Sequence, residues 1–554
     1  MMAYYREEAP ILDWKDASPC LHRGEKGRYV IVRHTSGFSN FKYLFGPAFN
    51  SHRPLHRIFS LARLAGSSRM MIERIQLRST DIKDVDTVRT FELGIDGQDA
   101  LRVSFLKRID SVDPEEIPNT DNVPIDVTQY SMIGYVVFFR GAGNYEEGPC
   151  VGLPRAGQIY ESVLSPSWTM PDVGPFIHCS RRYMISTAAG SFNVKGVLYT
   201  QQNGHTTHCL HAAMRMALSS VLPGGDIEYQ TILEALEKCF PPNDGGEKKL
   251  FNSKYTVDEL VEVINNLGQI NCVSLLWESN SKLFDRTLYE LVEAGAPAIL
   301  GYETSATSEG HAVTVIGHTF DNHNWTPLAS QLYFPRDGVL QKCASSEDYV
   351  NAFVLHDDNC GPYLTLPKNF FVQQQFADNM PPFLLGFTKR SRALNGNVAE
   401  KLAYCSLEIL LKKFSTSHEI SGERSWLTLL YRHFKHDRLV LRSIKIPYDQ
   451  YLAHLENDVL LEEKCLEKIT NHILKQSLWM VEISCHELFG ITRKKFGEML
   501  LLDKDIRGTS ELKLGNVFYM ARLPQLLFTD LSGKPCCETN VDSSTPLFDF
   551  GQYR

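Results

Sequence analysis

No stretch of this sequence stays apolar long enough to span a bilayer, and its opening, MMAYYREEAPILDWKD, mixes acids with bases where a secretory leader would be apolar. A membrane is not an expected partner, and the cytoplasm is the expected location. An excess of basic residues is missing too. The 57 Lys and Arg against 65 Asp and Glu give a formal net charge of -8, which leaves nucleic acid out of the expected partners. The 13 cysteines are odd in number and form no C-x-x-C pair, a scatter that suits a reducing compartment rather than a disulfide framework. No internal repeat or low-complexity block marks the chain, so its organisation has to be read from changes of pattern.

What is present suits a multidomain α+β protein. A chain of 554 residues exceeds what one core usually supports, and 43% hydrophobic against 22% charged residues leaves ample material for burial. Residues 1–194 read as mainly β or α+β, because RYVIVRHT, MMIERIQLRST, LRVSFLKRI and MIGYVVFFRG are rich in β-branched and aromatic residues. Residues 195–375 open with a helix over His208 to Leu222. Leu210, Ala213, Met214, Ala217, Leu218 and Val221 recur there at helical spacing, Arg215 is the only formal charge, and Pro223-Gly224-Gly225 ends it. Helical YQTILEALEKCF and TVDELVEVINNLG, strand INCVSLLW, helical KLFDRTLYELVEAG and strands PAILGYE, HAVTVIGHTF and NAFVLHD follow. That order predicts a helical layer on an antiparallel sheet. Residues 376–554 read as a further α+β region, with amphipathic VAEKLAYCSLEILLKKF, RSWLTLLYRHF and LENDVLLEEKCLEKITNHILKQ, strands SLWMVEIS and FGEMLLLD, and a turn-rich tail.

The densest chemistry lies in QQNGHTTHCLH, Gln201 to His211. His205, His208, Cys209 and His211 all carry atoms that suit zinc. On a helix, however, His208 and His211 share a face while Cys209 points about 100° away, so no metal is expected here. As a second possibility, Thr206 or Thr207 caps the helix and sets Cys209 in its first turn, where unpaired amides favour anions. Those amides, with Gln202 or Gln201 upstream, suit the oxyanion of a carbonyl under attack. The third reading is a buried structural thiol, the common fate of a cysteine. The downstream order favours the nucleophile. His311 opens a β pattern directly after TSATSEG and is the base candidate, whereas His318, at odd spacing on the same strand, faces the other way. The strand NAFVLHD ends at Asp357-Asp358-Asn359, a pattern that also serves turns, and Asp357 is favoured over Asp358 to orient the imidazole.

This order of Gln, Cys at a helix start, His on a strand and Asp on the next strand resembles the papain-like cysteine peptidase superfamily. The run LVEAGAPAILGYE, then GHAVTVIGH, then a strand ending in Asp and a glycine turn, resembles its bacteriocin-processing and related bacterial branch. The resemblance covers roughly residues 195 to 370, about a third of the chain. It implies a papain-like domain that cleaves a peptide or isopeptide bond of a protein or peptide substrate through an acyl-enzyme. Cys209 would attack, His311 move the proton, Asp357 orient His311, and Gln202 with the Cys209 amide hold the oxyanion. No metal or organic cofactor is implied. Leu210 stands where the branch commonly has a small residue, Asp358 where proline commonly follows the acid, and Asn203 where the oxyanion glutamine usually lies. An acyltransferase of the transglutaminase or phytochelatin synthase type shares the first half-reaction and is the second expectation. A non-catalytic interaction protein that keeps the fold is the third.

Overall fold

Apolar runs and alternations in the N-terminal third become strands, and nearly all of them pair antiparallel. The computed structural model of the chain describes residues 11–12, 29–34, 52–76, 99–109, 127–139, 158–166, 175–201, 209–223, 225–227, 229–239, 256–267, 270–277, 282–303, 310–320, 343–368, 370, 381–389, 395–417, 426–456, 467, 478–492, 494–503, 514–524, 526–538 and 548–549. The fold is α+β and has two units, each assembled from separated stretches. The first takes Met1–Ser279, Pro297–Gly317 and Val354–Lys389, and the second Asn280–Ala296, His318–Phe353 and Arg390–Arg554.

In the first unit, β1 (Ile11–Leu12), β2 (Tyr29–Arg33), β3 (Arg69–Gln76), β4 (Asp99–Arg108), β5 (Tyr130–Phe139), β6 (Gln158–Leu164), β7 (Arg181–Thr187) and β8 (Gly190–Tyr199) form one sheet, ordered β1-β2-β3-β4-β5-β6-β8-β7. Successive side chains point to opposite faces. Val32, Met70, Val103 and Phe138 therefore share one core with Leu55, Ile58 and Phe59 of helix α1 (Arg53–Leu64), while Ile31, Met71, Tyr135 and Val137 share another. Sequence reasoning passes over α1, whose cap is unusual: His52 Nδ1 accepts the Leu55 N–H at 3.1 Å, where Ser, Thr, Asp or Asn would be usual.

Helix α2 (Cys209–Val221) is buried from two directions. Ala213, Met214, Ala217 and Leu218 join a core with Ile232 of α3 (Tyr229–Cys239) and Leu260 and Val263 of α4 (Val257–Asn266), while Ala212 and Met216 join the core that holds Tyr199. Its lone charge is neutralised in place. Arg215, fully buried, forks onto Asp226 with Nε–Oδ1 at 3.0 Å and Nη2–Oδ2 at 2.6 Å, and its guanidinium lies 4.6 Å over the Tyr160 ring. Arg181 closes the C-terminal end, donating to the carbonyls of Ser219 at 2.8 Å, Leu222 and Pro223 at 3.1 Å, where the helix dipole is negative.

A six-stranded sheet supports α2. Its order is β14-β13-β11-β10-β15-β9, from β9 (Ile270–Leu276), β10 (Ala298–Glu303), β11 (Gly310–Phe320), β13 (Val350–Asp357), β14 (Gly361–Pro367) and β15 (Phe383–Lys389). Ile299, Ala312, Phe383 and Leu385 from this sheet lie in the α2 core. β10 pairs antiparallel with both β11 and β15, and β15 with β9. Helix α5 (Lys282–Glu293), read from the sequence as part of the same helical layer, belongs to the second unit.

The second unit holds a seven-stranded sheet, ordered β12-β16-β17-β19-β20-β21-β22, from β12 (Cys343–Ser345), β16 (Leu439–Ile446), β17 (Leu478–Cys485), β19 (Gly497–Leu502), β20 (Phe518–Leu523), β21 (Leu526–Phe528) and β22 (Cys537–Glu538); β18 (Lys494–Lys495) pairs with β23 (Phe548–Asp549). One face packs on α6 (Gly396–Ser417) and α7 (Trp426–Lys435) through Leu407, Leu410, Leu430, Trp479, Val481 and Leu501. Across four strands runs a buried charged row, Arg442 opposite Glu482, Glu482 opposite Glu498, and Glu498 opposite Arg522. Lys495 Nζ sits between the two acids at 2.7 Å from each, and Tyr451 of α8 (Tyr448–Glu456) donates to Glu498 at 2.9 Å. Most of LENDVLLEEKCLEKITNHILKQ lies outside the described residues, and no described helix is long and apolar enough to cross a membrane.

Candidate active site

Cys209 is the first residue of α2, and its Sγ lies 4.0 Å from the carbonyl oxygen of Gly310, the residue before His311. His311 follows at the start of β11, opposite Tyr302 of β10, whose ring meets the imidazole edge-on at 5.9 Å. Asp357 is the last residue of β13. Its Oδ2 lies 3.2 Å from His311 Nε2, and its Oδ1 accepts the N–H groups of Asn359 at 2.8 Å and Cys360 at 3.0 Å. The strand ends, not the strand interiors, thus bring the thiol, the imidazole and the carboxylate together. With Nε2 turned to the acid, Nδ1 is the nitrogen left for the thiol.

The electrostatics follow from this packing. Burial lowers the His311 pKa, but hydrogen bonds with the Asp357 and Cys209 side chains and the charges of Asp357 and Asp358 outweigh it and carry it up to about 11. For Asp357 burial acts upward, yet the bond and charge of His311 and the two backbone N–H donors hold its carboxyl below the usual range. Asp358 is fully buried, its Oδ1 is 4.0 Å from His311 Nε2, and neither carboxyl oxygen has a hydrogen-bond partner among the described residues. Burial first, and the charge of Asp357 with it, pushes the Asp358 carboxyl up to about 7 against the opposing pull of His311.

Aromatic rings behind the site fix the strand ends. Tyr199 donates to the carbonyl oxygens of Asp358 at 3.1 Å and Asp357 at 3.3 Å. His356, fully buried, turns Nδ1 to the Leu198 carbonyl at 3.1 Å and packs edge-on against Tyr199 and Tyr363; burial pushes its pKa down to about 3, so it stays neutral. Tyr199, Tyr302 and His356 are site neighbours that sequence reasoning missed. Only the alternation of NAFVLHD, which turns His356 away from Asp357, hinted at one of them.

The remaining sequence candidates divide cleanly. Gln201 is committed elsewhere, its Oε1 accepting the Ile159 N–H at 3.1 Å. Gln202, Asn203, His205, Thr206, Thr207 and His208 lie outside the described residues. His211 is buried within α2. His318 points away from the site, as its odd spacing requires, and meets Glu293 at 2.8 Å in the second unit. One nitrogen of His311 and one oxygen each of Asp357 and Asp358 lie within 4.8 Å of one another, so this trio also has the donors to hold a cation. Compared with protein-family models, curated proteins and solved structures, the chain matches none.

Proposed function

We propose that the first unit carries a papain-like cysteine hydrolase that cleaves a peptide or isopeptide bond. The observation that carries the reading is the convergence of Cys209, His311 and Asp357 from the N-terminal end of α2, the start of β11 and the end of β13. In this mechanism Cys209, as thiolate, attacks the carbonyl carbon. The S–C bond forms, the C–N bond breaks, and the His311 imidazolium gives its proton to the departing amine. Water then attacks the thioester, His311 accepts its proton, the S–C bond breaks, and the carboxylic acid leaves as the thiolate and imidazolium are restored. Asp357 keeps the imidazole turned and balances its charge. Backbone amides at the start of α2 supply donors to the oxyanion, and Gln202 is assigned to join them. An amine in place of that water would make the same site an acyltransferase, and product mass separates the two.

The test is a peptidyl electrophile offered to the full chain, with the modified residue found by mass spectrometry. Cys209 should react far faster than Cys360 or Cys536, and His311→Ala should remove that preference while the fold persists. Equal labelling of the three thiols in the wild type would overturn the reading.

A further inference from the structure

We infer that the second unit holds a site for a borderline divalent cation of the zinc class, formed by His433, Cys485 and Glu487. One imidazole nitrogen of His433, the Cys485 sulfur and one Glu487 carboxylate oxygen lie within 4.8 Å of one another. The three come from two elements. His433 stands in the last turn of α7, Cys485 ends β17, and Glu487 follows two residues on. Between them His486 turns the other way and shares a hydrogen bond with the Tyr349 hydroxyl at 2.5 Å, which fixes the turn that puts Cys485 and Glu487 on the same side.

Two features point to a ligand rather than to a packed core. His433 Nδ1 is buried and has no hydrogen-bond partner among the described residues, a cost that an ion bound at that nitrogen would remove. The donors are one nitrogen, one sulfur and one oxygen. That mixture suits zinc and its borderline neighbours and excludes the hard, oxygen-seeking magnesium and calcium ions. Arg432 and Arg438 bring positive charge towards His433, so a cation is held only if Cys485 and Glu487 both bind as anions. On binding, Cys485 gives up its thiol proton to solvent, the S–H bond is replaced by an S–metal bond, and one proton is released per ion. Glu487 is exposed, so water can reach the site as a further ligand. The ion would tie the C-terminal end of α7 to the outgoing end of β17 and so stabilise this unit.

Cobalt(II), which reports thiolate ligation by a charge-transfer band, is the probe. Titrating the full chain should develop that band at one equivalent, and Cys209→Ala should behave as the wild type. Cys485→Ser should abolish the band. Glu487→Gln, at an exposed position where the fold is safe, and His433→Gln should each weaken binding by about tenfold or more. Zinc should raise the melting temperature of the wild type and of Cys209→Ala, and leave that of the His433→Gln/Glu487→Gln double variant unmoved. The inference is overturned by an absent band in the wild type, by a band that survives Cys485→Ser, by one lost in Cys209→Ala, or by undiminished binding in the double variant.

Discussion

Asp357 and Asp358 are adjacent in sequence and opposite in their surroundings: the Asp357 carboxylate meets His311 and two backbone N–H groups, whereas neither Asp358 carboxyl oxygen has a hydrogen-bond partner among the described residues. Two acids so close do not both ionise readily, and the donors decide which one does. Asp357→Asn should therefore lower turnover of a peptide substrate by about 10³- to 10⁴-fold, since the amide neither balances the imidazolium nor fixes its tautomer. Asp358→Asn, which resembles the neutral acid, should cost under about tenfold. Steady-state rates of the two variants decide it, and the reverse ranking would move the orienting role to Asp358.

Stability should carry the mark of the same pair. His311 has a folded pKa raised to about 11 from an ordinary 6.5, so its contribution is fully present below 6.5 and is lost as the pH climbs towards 11. Asp357, lowered from 3.8, contributes above 3.8 and loses that contribution as the pH falls through its folded value. The gap in urea midpoint between wild type and His311→Gln should be widest at about pH 5 to 6 and close progressively towards about pH 11. A gap that stays constant across that range would show that His311 gains no proton affinity on folding.

Lys495 is wholly buried between Glu482 and Glu498. Burial acts to raise the Glu498 carboxyl, but the charges of Lys495, Arg522 and His454 outweigh it and hold it well below its usual range. Lys495→Met removes one partner and leaves two carboxylates facing each other, at a cost of about 3 to 5 kcal/mol at neutral pH. Denaturant unfolding should show that loss, and it should shrink in mild acid as the variant's carboxyls take up protons. A loss below about 1 kcal/mol would mean that Arg442 and Arg522 alone neutralise the row.

Gly301 stands opposite Phe383 between β10 and β15, where a Cβ would overlap the phenyl ring. Gly301→Ala should destabilise the first unit by about 1 to 3 kcal/mol in thermal unfolding, and a second change, Phe383→Leu, should recover part of it. If Ala is tolerated without loss, the ring is free to move aside.

Elements with a clean period were legible. The strands ending at Asp357 and opening at His311, and the apolar helix after Cys209, stand where the pattern of Val, Ile, Leu and Ala put them. The strand LVLRSIKI was not legible, because Arg442 and Lys445, at odd spacing, put a charge on each face, whereas Arg442 is buried against Glu293 and Glu482. Those partners are 149 and 40 residues distant, and sequence spacing says nothing about such pairs. The unequal roles of Asp357 and Asp358 were half legible for a related reason. Alternation shows that they face apart, but which one gains the amides of Asn359 and Cys360 depends on how the next turn closes.

The strands LWMVEISC and GEMLLL are hydrophobic on both faces, so a slip of one residue would exchange one aliphatic surface for another with little loss. The charged row removes that ambiguity. Moved by one position against β16, Glu482 would come to rest opposite Leu441 or Ser443, and its buried charge would lose Arg442 from the place across from it. Arg442, Glu482, Glu498 and Arg522 therefore work as the teeth of a key. A row of leucines in their place would bury as much surface, yet it would admit several alignments of the same four strands.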